Sequence, residues 1–302
     1  MTDRREVLQC LGVGAGTLFT LSGGVFSAFD MAQAQTQDVG TPLFLQISDT
    51  HIGFNKEANP DVIGTLNTTI EAVNALPRRP AFALHTGDVT HLSKAGEFDT
   101  ASQLLSRLKV SELHVVPGEH DVTDGPGAEF FARFGKPSSN KGYYSFDANG
   151  VHFVALVNVM NFKPNGLGAL GEDQMAWLKN DLSSRSASQP LVVFAHMPLW
   201  TIYEPWGWGT AEGEEIASLL RRFGSVTVLN GHIHQIVQKV EGNILFHTAR
   251  STAYPQPSAG SAPGPGPLLV PRAELPGMLG VTMAVMDPKR AVSLADTSLA
   301  QG

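Results

Sequence analysis

The feature that most constrains this chain is a repeated arrangement in which a short apolar run is followed directly by Asp or His. The apolar runs begin at Leu43, Ala81, Leu113, Leu191 and Val226. The polar stretches that follow them are Asp49/His51, Asp88, Glu119/His120/Asp121, His196 and His232/His234. In layered α/β folds, polar residues at strand ends gather beyond the carboxyl edge of a parallel sheet. We therefore expect the five stretches to form one site assembled from distant segments.

Helix signals lie between the apolar runs of the first half. Asn59–Asp61 predicts the start of a helix that continues to Leu76, with Asn59 as the cap and Pro60 at the first helical position. Lys94–Leu108 predicts a second helix. An alternation of strand, loop and helix is typical of parallel strands joined by right-handed crossovers.

The second half repeats this pattern less regularly. Tyr143–Phe146 and Val151–Val159 predict a hairpin that turns at Asn149 and Gly150. Helices are predicted at Gly171–Ser183 and Glu212–Phe223, and further strands at Ile236–Val240, Ile244–His247, Gly280–Met286 and Ala291–Leu294. Two β sheets packed face to face and flanked by helices would account for this many strands. The Pro/Gly-rich stretch 255–276 predicts an irregular surface excursion.

Composition restricts the partners and the metal chemistry. With 302 residues, 42% hydrophobic and 16% charged, the chain can bury a large core. Its net charge of −7 and the absence of a basic run argue against binding a nucleic-acid polymer. The single cysteine, Cys10, lies near the N-terminus, so a metal in the body of the protein must use oxygen and nitrogen ligands. Zinc, iron and manganese accept such ligands.

Residues 1–34 have the three parts of an export signal. Arg4 and Arg5 precede a weakly apolar, Gly-rich run (Val7–Phe29), and Ala32–Ala34 offers a small-residue cleavage site. The paired arginines resemble a twin-arginine signal, which exports proteins already folded. The segment predicts a periplasmic or secreted protein without stable membrane insertion after cleavage. The alternatives are an ordinary N-terminal helix or an uncleaved anchor.

Two pairs of side chains have a spacing that allows both members to bind one metal ion. Asp49 and His51, and likewise His232 and His234, are separated by one residue, so each pair points the same way on an extended strand. Either pair alone could instead cap a local hydrogen-bond network. Their combination with three further polar stretches at strand ends favours a metal site.

The order of these motifs resembles the calcineurin-like metallophosphoesterases. That family has Asp-x-His, Gly-Asp, Gly-Asn-His-Asp/Glu, His and Gly-His-x-His, and the present chain follows the order from about Leu43 to His247. Two stretches, Leu45–His51 and Thr86–Phe98, also resemble the bacterial class III cyclic-nucleotide phosphodiesterase branch. The resemblance implies an α/β fold, a four-layer α/β/β/α sandwich of two mixed sheets flanked by helices. It also implies that residues 35–302 form a single domain, with the motif core at 43–247 and C-terminal strands in 248–302.

The resemblance implies two metal ions, divalent or mixed-valence, drawn from iron, manganese and zinc. It assigns Asp49, His51 and His234 to one ion, Asp88 to a bridge, and Glu119, His196 and His232 to the second ion. Such a pair lowers the pKa of a shared water and clamps the phosphoryl oxygens during in-line displacement. A hydroxide bridging the metals would then attack the phosphorus.

His120 occupies the position of the family's non-ligand histidine. The resemblance implies that His120 protonates the leaving oxygen as a general acid and that Asp121 orients its ring. The alternative for Asp121 is a loop cap. The implied activity is hydrolysis of a small phosphorylated substrate. A phosphodiester is favoured over a phosphomonoester, and nucleotides are among the candidate substrates. The alternative enzyme is a phosphomonoesterase or nucleotidase with the same metal centre. The sequence also allows a homo-oligomer.

Glu119 departs from the family pattern, which has Asn at that position. Glutamate is longer, usually anionic, and cannot donate a hydrogen bond when ionised. One hypothesis is that Glu119 binds the second metal more tightly and favours a higher-valent ion such as ferric iron. Another is that it disables or retunes phosphate binding. The extreme of the second hypothesis is a catalytically weak metal-binding protein.

The other histidines fit no ligand pattern. We expect packed or surface positions for His85, His91, His114, His152 and His247. His91 and His247 are the nearest exceptions because they follow motif-bearing segments. The tryptophan-rich loop 198–210 either walls a substrate pocket or packs over a sheet edge.

Overall fold

The computed structural model describes residues 17–22, 25–30, 42–135, 142–286 and 292–301. Its strands are β1 (Thr17–Ser22), β2 (Val25–Asp30), β3 (Pro42–Ile47), β4 (Phe82–His85), β5 (Leu113–Val115), β6 (Tyr144–Ala148), β7 (Val151–Ala155), β8 (Asn161–Phe162), β9 (Gly168–Ala169), β10 (Leu191–Phe194), β11 (Val226–Asn230), β12 (Gln238–Glu241), β13 (Ile244–Thr248), β14 (Gly280–Met286) and β15 (Val292–Ser298). Its helices are α1 (Val62–Ala75), α2 (Ala95–Leu105), α3 (Ala128–Phe134), α4 (Glu172–Ser183), α5 (Gly213–Leu220) and α6 (Leu275–Met278). Short 3-10 turns lie at Glu119–Asp121, Glu204–Trp206 and Leu299–Gln301.

The strands form two mixed sheets and a small ribbon. The first sheet has the order β2-β1-β15-β14-β3-β4-β5, and the second has the order β12-β13-β11-β10-β7-β6. In the first sheet β3, β4 and β5 are parallel, and in the second β7, β10, β11 and β13 are parallel. Strands β8 and β9 pair with each other as the ribbon.

The pleat of the strands divides the apolar side chains among three cores. On β3, Phe44 enters the core between the two sheets, whereas Leu45 and Ile47 face the core beneath α1, α2 and α3. On β10, Phe194 faces the core between the sheets and Val193 the core beneath α4 and α5. Because successive strand residues point to opposite faces, strands buried on both sides are apolar throughout. The layers are helix, sheet, sheet and helix, which confirms the predicted four-layer α/β/β/α fold.

Most predicted elements are present, with boundaries moved by a few residues. The predicted hairpin turns at Asn149 and Gly150, whose φ angles of 51° and 80° suit a tight two-residue turn. The predicted cap of α1 is wrong: the cap is Asp61, whose Oδ1 accepts a hydrogen bond from Gly64 N at 2.8 Å. Asn59 lies before the helix and accepts a hydrogen bond from Asp61 N. Sequence reasoning did not predict α3, α6 or the β8–β9 ribbon.

The predicted leader is described only in part. Strands β1 and β2 lie within it and form an antiparallel pair that extends the first sheet beyond β15. The paired arginines, Cys10 and Ala32–Ala34 lie outside the described residues. Within the described ranges, no helix has the length and apolar character needed to cross a membrane.

Candidate metal centre

The loops that carry the predicted ligands all leave the carboxyl ends of parallel strands. In the first sheet, the loop after β3 runs beside the loop after β4, with Asp49 N donating to Gly87 O at 3.0 Å and His51 N to Asp88 O at 2.9 Å. In the second sheet, Gly231 N donates to His196 O at 2.9 Å. These backbone bonds extend the strand pairing into the loops and fix the ligand spacing.

Three side chains form a first cluster of ligand atoms. His51 Nε2 lies 3.2 Å from His234 Nε2, and His234 Nε2 lies 3.3 Å from Asp49 Oδ1. All three side chains are essentially buried, at 2% exposure or less. His51 and Asp49 come from the first sheet and His234 from the second, so the cluster spans the junction of the two sheets.

A second cluster adjoins the first. Glu119 Oε2 lies 2.7 Å from His196 Nε2, and Glu119 Oε1 lies 2.9 Å from His232 Nδ1. Asp88 lies between the clusters, because its Oδ2 is 3.5 Å from His51 Nε2 and 3.4 Å from His196 Nε2. This is the position that a bridging carboxylate requires. The structure thus brings together all seven residues predicted as ligands.

Backbone carbonyls orient two of the imidazoles toward the clusters. His196 Nδ1 lies 2.7 Å from Thr86 O, and His234 Nδ1 lies 2.6 Å from Tyr254 O. Because a carbonyl only accepts, each Nδ1 carries the proton and each Nε2 presents a lone pair to the site. Metal-binding histidines characteristically have their second nitrogen held in this way.

The backbone at the site is strained in a consistent way. In the described part of the chain, seven residues other than glycine have positive φ angles, and five of them are predicted ligands: Asp49, His51, Asp88, His232 and His234. A left-handed conformation costs a residue with a side chain on the order of 1–2 kcal/mol. Such strain persists where the surrounding structure imposes it and concentrates at functional sites.

Two motif glycines permit the close approach of these loops. A Cβ atom at Gly118 would collide with the carboxylate of Asp88, and one at Gly231 would collide with the side chains of Ser48 and Asp49. The glycines of the Gly-Glu-His-Asp and Gly-His-x-His motifs are therefore needed for space rather than for conformational freedom.

The pKa values of the second cluster indicate that positive charge is favoured among its side chains. Burial opposes ionisation of Glu119, but His232 and His196 outweigh it and hold the pKa of Glu119 well below its ordinary value. Burial likewise opposes protonation of His196, but Asp88 and Glu119 raise its pKa well above the ordinary value. In the first cluster, burial and the neighbouring histidines lower the pKa of His51 well below its ordinary value, leaving it a neutral nitrogen donor.

The donor set fits metal ions. Glu119 Oε2, His196 Nε2 and His232 Nδ1 are buried and make no aligned hydrogen bond, although they face one another at short distance. Lone pairs that converge in this way repel each other unless a positive charge lies between them; without metal the proton favoured on His196 supplies it, and a bound cation would take its place. A mixture of imidazole nitrogen and carboxylate oxygen suits zinc, iron and manganese.

A comparison of the sequence with family models decides the assignment. Residues 42–236 match the model described as calcineurin-like phosphoesterase. The chain belongs to this family. It is a metal-dependent phosphoric ester hydrolase, and its family uses a dinuclear metal centre.

Individual relatives and a solved structure are consistent with this family. A probable glycerophosphodiester phosphodiesterase of Arcobacter nitrofigilis is 24% identical over 221 residues, 70% of this chain and 79% of the relative. A probable cyclic nucleotide phosphodiesterase of Rhodopseudomonas palustris is 26% identical over 231 residues, 70% of this chain and 78% of the relative. The crystal structure of a dimetal phosphatase from Danio rerio superposes with a TM-score of 0.57 at 16% identity, covering 86% of this chain and 99% of that one. This likeness confirms the fold.

In this calcineurin-like phosphoesterase, His120 lies beside the bridging carboxylate. Its backbone N donates to Asp88 Oδ1 at 2.9 Å, and its ring Nδ1 lies 2.7 Å from His91 O. The carbonyl keeps the proton on Nδ1, which leaves Nε2 available to the site. Burial lowers the pKa of His120, but the charges of Asp88 and Glu119 outweigh it and raise the pKa above its ordinary value.

The structure corrects the role predicted for Asp121. Its carboxylate is fully buried and accepts hydrogen bonds from Val89 N, Thr90 N, Thr90 Oγ1 and Gly118 N at 2.8–3.0 Å. The ring of His120 is held by the carbonyl of His91 instead. Burial and the charge of Asp88 raise the pKa of Asp121 to about 7, against the effect of these donors. Asp121 fastens the His120 loop to the loop after β4, which is the loop-cap alternative.

Two further residues lie at the centre: His91, which the sequence marked only as an exception among the packed histidines, and Tyr254, which sequence reasoning missed. His91 stacks on His120 with ring centroids 4.8 Å apart, and its Nδ1 lies 3.4 Å from His51 Nδ1. Tyr254 packs against His51 and His234 from the segment after β13. The parallel alignment of β13 with β11 could have pointed to Tyr254, because it adds another strand end at the same edge.

The remaining histidines lie in packed networks. His85 approaches Thr50 Oγ1 at 3.2 Å, and His114 stacks on Phe146 with centroids 3.8 Å apart. His152 pairs with Asp147 and Asp181. His247 pairs with Asp296. None of these four belongs to a candidate metal cluster of the described residues.

The tryptophan-rich loop packs largely into the protein. Trp208 is 1% exposed, and Trp200 packs against Phe246 in the core beneath α4 and α5. Tyr203 and Trp206 are half-buried and pack edge to face, 5.3 Å apart. Packing over the sheet therefore accounts for Trp200 and Trp208.

Proposed function

We propose that this calcineurin-like phosphoesterase hydrolyses a small phosphodiester, nucleotides included, at a dinuclear metal centre. The observation that carries the proposal is the convergence of six nitrogen and oxygen ligand residues around Asp88, with His120 beside them. The side chains that form these clusters are imidazoles and carboxylates, which are suited to binding ions and moving protons.

The residues divide into two ligand sets. Asp49, His51 and His234 would hold one ion, and Glu119, His196 and His232 the other, with Asp88 shared between them. When bound, two cations lower the pKa of a water and neutralise the phosphoryl oxygens in the transition state.

His120 is the proposed proton donor to the leaving oxygen. Its Nδ1 is held by His91 O, so the proton that it transfers must be on Nε2. The ring is fixed by stacking on His91 and by an edge contact with His51, 4.8 Å between centroids. These contacts and the bond to His91 O restrict rotation of the ring.

The charge of the site supports a diester in preference to a monoester. Three carboxylates, those of Asp49, Asp88 and Glu119, lie around the centre. Glu119 contributes a negative charge that a neutral Asn would lack. A phosphomonoester carries nearly two negative charges near neutral pH, whereas a diester carries one, so the carboxylates repel the diester less. Two relatives bear the names of phosphodiesterases.

The experiment compares a bis-aryl phosphate with a mono-aryl phosphate, using wild type and Glu119→Asn loaded with zinc, manganese or iron. We expect wild type to have the higher kcat/KM with the diester. Because Glu119→Asn removes one negative charge, it should lower the diester-to-monoester ratio about tenfold. Glu57→Gln, an exposed change outside the ligand clusters, is the control and should keep the wild-type ratio.

The outcomes separate the candidate functions. A higher kcat/KM with the monoester would contradict the diester assignment and favour a monoesterase. Hydrolysis of neither substrate by wild type containing two metal ions would favour a catalytically weak metal-binding protein. In that case, a gain of activity in Glu119→Asn would identify Glu119 as the cause.

We further propose export through the twin-arginine pathway, with cleavage after Ala34. The support is the order of Arg4 and Arg5, the apolar run and Ala32–Ala34. Mass spectrometry of protein recovered from the periplasm should place the N-terminus at Gln35. Changing both arginines to lysine should retain the precursor in the cytoplasm, and periplasmic accumulation of that variant would contradict the proposal.

A further inference from the structure

Tyr254 lies in the segment that follows β13 and belongs to none of the five motifs. We propose that its phenol oxygen is an additional ligand of the metal ion held by Asp49, His51 and His234. The inference rests on the proposed dinuclear centre and deepens it, because it adds an anionic oxygen to one of the two ions.

Three consecutive separations among the four proposed ligand atoms match those between ligands of a single ion. Tyr254 Oη lies 3.2 Å from His51 Nε2, the same separation as His51 Nε2 to His234 Nε2. The third separation, His234 Nε2 to Asp49 Oδ1, is 3.3 Å. Ligands that lie about 2.1 Å from one ion at tetrahedral or octahedral angles are about 3.0–3.4 Å apart. Each of these three separations therefore suits two ligands of one ion, and Tyr254 Oη adjoins the cluster through His51 Nε2.

The ring of Tyr254 is held so that its hydroxyl points into the centre. The side chain is 4% exposed, and its ring packs against Phe54 at 4.3 Å, His234 at 4.7 Å and His51 at 4.9 Å between centroids. Among the described residues, the hydroxyl has His51 Nε2 as its one hydrogen-bond partner. A buried tyrosine hydroxyl normally bonds a carbonyl or water. Here it faces a nitrogen whose lone pair is directed at a metal site.

The backbone of this segment is tied to the ligands themselves. Ser251 Oγ donates to Asp49 O at 2.7 Å and accepts a hydrogen bond from Tyr254 N at 3.2 Å. Tyr254 O in turn accepts from His234 Nδ1 at 2.6 Å. One residue thus orients a ligand histidine through its carbonyl and presents its own oxygen to the same ion.

The chemistry favours a ferric ion at this position. On coordination the phenol O–H bond breaks, its proton passes to solvent, and the oxygen keeps the electron pair as a phenolate ligand. With Asp49, Asp88 and Glu119, the phenolate gives four anionic side chains around the two ions. A ferric ion paired with a divalent ion carries five positive charges, so the four anionic side chains and one hydroxide leave the centre neutral, whereas two divalent ions would leave it with one net negative charge.

The test is the visible spectrum of the iron-loaded protein. A phenolate bound to ferric iron has a charge-transfer band in the visible region, whereas carboxylate and imidazole ligands do not produce one. We expect wild type, oxidised after loading, to be coloured. Tyr254→Phe should bind the same amount of iron by elemental analysis but lose at least nine-tenths of the band. Tyr144→Phe is the matched control, because Tyr144 is also buried and its hydroxyl points to Val115 O.

The inference is overturned if iron-loaded wild type lacks the band, or if Tyr254→Phe retains it. If ferric iron does not bind, the test is zinc affinity, measured by chelator competition. Tyr254→Phe should then bind the tighter zinc ion at least tenfold more weakly than Tyr144→Phe. Equal affinities would overturn the inference. Failure of the dinuclear proposal itself would differ, because wild type would then bind fewer than two ions.

Discussion

Three neighbouring residues at the centre of the site have separate physical tasks. Glu119 directs its carboxylate at His196 and His232, His120 holds its ring against His91, and Asp121 points away from both, into the backbone of the loop after β4. The short helical turn at Glu119–Asp121 causes this divergence, because successive side chains of a helical turn point in different directions.

We predict that substitution of Asp121 lowers the stability of the fold more than it lowers catalytic turnover. In Asp121→Asn, the amide would replace the oxygen that accepts from Val89 N and Gly118 N, leaving these buried N–H groups opposite a donor. We expect a loss of about 2–4 kcal/mol in the free energy of unfolding, measured by urea denaturation.

His120→Gln serves as the contrast. It should lower kcat by about 10²–10⁴-fold with little change in the free energy of unfolding, because His120 is only half-buried and its loss removes the proton donor. If Asp121→Asn instead has the wild-type free energy of unfolding and loses only turnover, the result would support the predicted role of Asp121 in orienting the ring of His120.

At the scale of elements, helix α1 shows how a local signal can be displaced by tertiary contacts. Asn59 has a good capping side chain, but its Nδ2 donates to Ala253 O at 2.6 Å, next to Tyr254. The capping function falls to Asp61. Asn59 therefore joins the start of the helix to the segment that enters the metal centre.

We predict that Asp61→Ala lowers the free energy of unfolding by about 1 kcal/mol, because it removes the bond to Gly64 N. Urea denaturation measures this loss, and metal affinity should not change. Glu71→Ala, on an exposed position of the same helix, is the control and should stay within about 0.5 kcal/mol of wild type. Equal losses in the two variants would show that the cap contributes nothing.

At the scale of the whole molecule, a buried polar group joins the two sheets. His247 on β13 lies 3.1 Å from Asp296 Oδ1 on β15, and Thr282 on β14 donates to the same oxygen at 2.6 Å. Burial opposes ionisation of Asp296, but His247 and Thr282 outweigh it and lower the pKa of Asp296. The ionised carboxylate is thus favoured in the folded state.

This lowered pKa determines the pH dependence of stability. A carboxyl whose pKa falls on folding stabilises the protein above its unfolded value, about 3.9, and loses that contribution as the pH falls through the folded value. Asp296→Asn should therefore unfold about 1.5–3 kcal/mol more easily than wild type at pH 7. The difference should shrink below about pH 4, as measured by urea denaturation at several pH values.

The control is Asp99→Asn, which breaks a surface pair with Arg133 and should cost at most about 1 kcal/mol. A difference between Asp296→Asn and wild type that stayed constant down to pH 3 would show that the charge of Asp296 is not the cause.

The metal centre also joins the two sheets, so metal should stabilise the whole fold. Free metal at a hundred times its Kd adds about 2.7 kcal/mol to the free energy of unfolding. We expect chelator to lower the Tm of metal-loaded wild type by several degrees. Asp88→Asn, which weakens the bridge to both ions, should show less than half of that change. Equal changes in the two proteins would contradict the bridging role.

Several features of this protein could be predicted from local sequence because their cause is local. Short apolar runs ending in Asp or His marked β3, β4, β5, β10 and β11, and a parallel arrangement required their ends to meet. The hairpin at Asn149 and Gly150 was predictable because few residues accept two successive left-handed conformations. The small helix α3 follows the turn residues Asp124–Gly127, but its seven residues are too few to show a helical period in the sequence.

The sequence by itself determined which seven side chains would meet, since they follow the ends of five strands directly and carry their ligand atoms within a few residues of those ends. Only the tertiary structure decided the tasks of Asp121, His91 and Tyr254. Their partners are backbone carbonyls, amides and ring faces supplied by other loops, and no local pattern encodes those distances. Tyr254 in particular reaches the centre because β13 lies beside β11 and because Ser251 fastens its segment to Asp49.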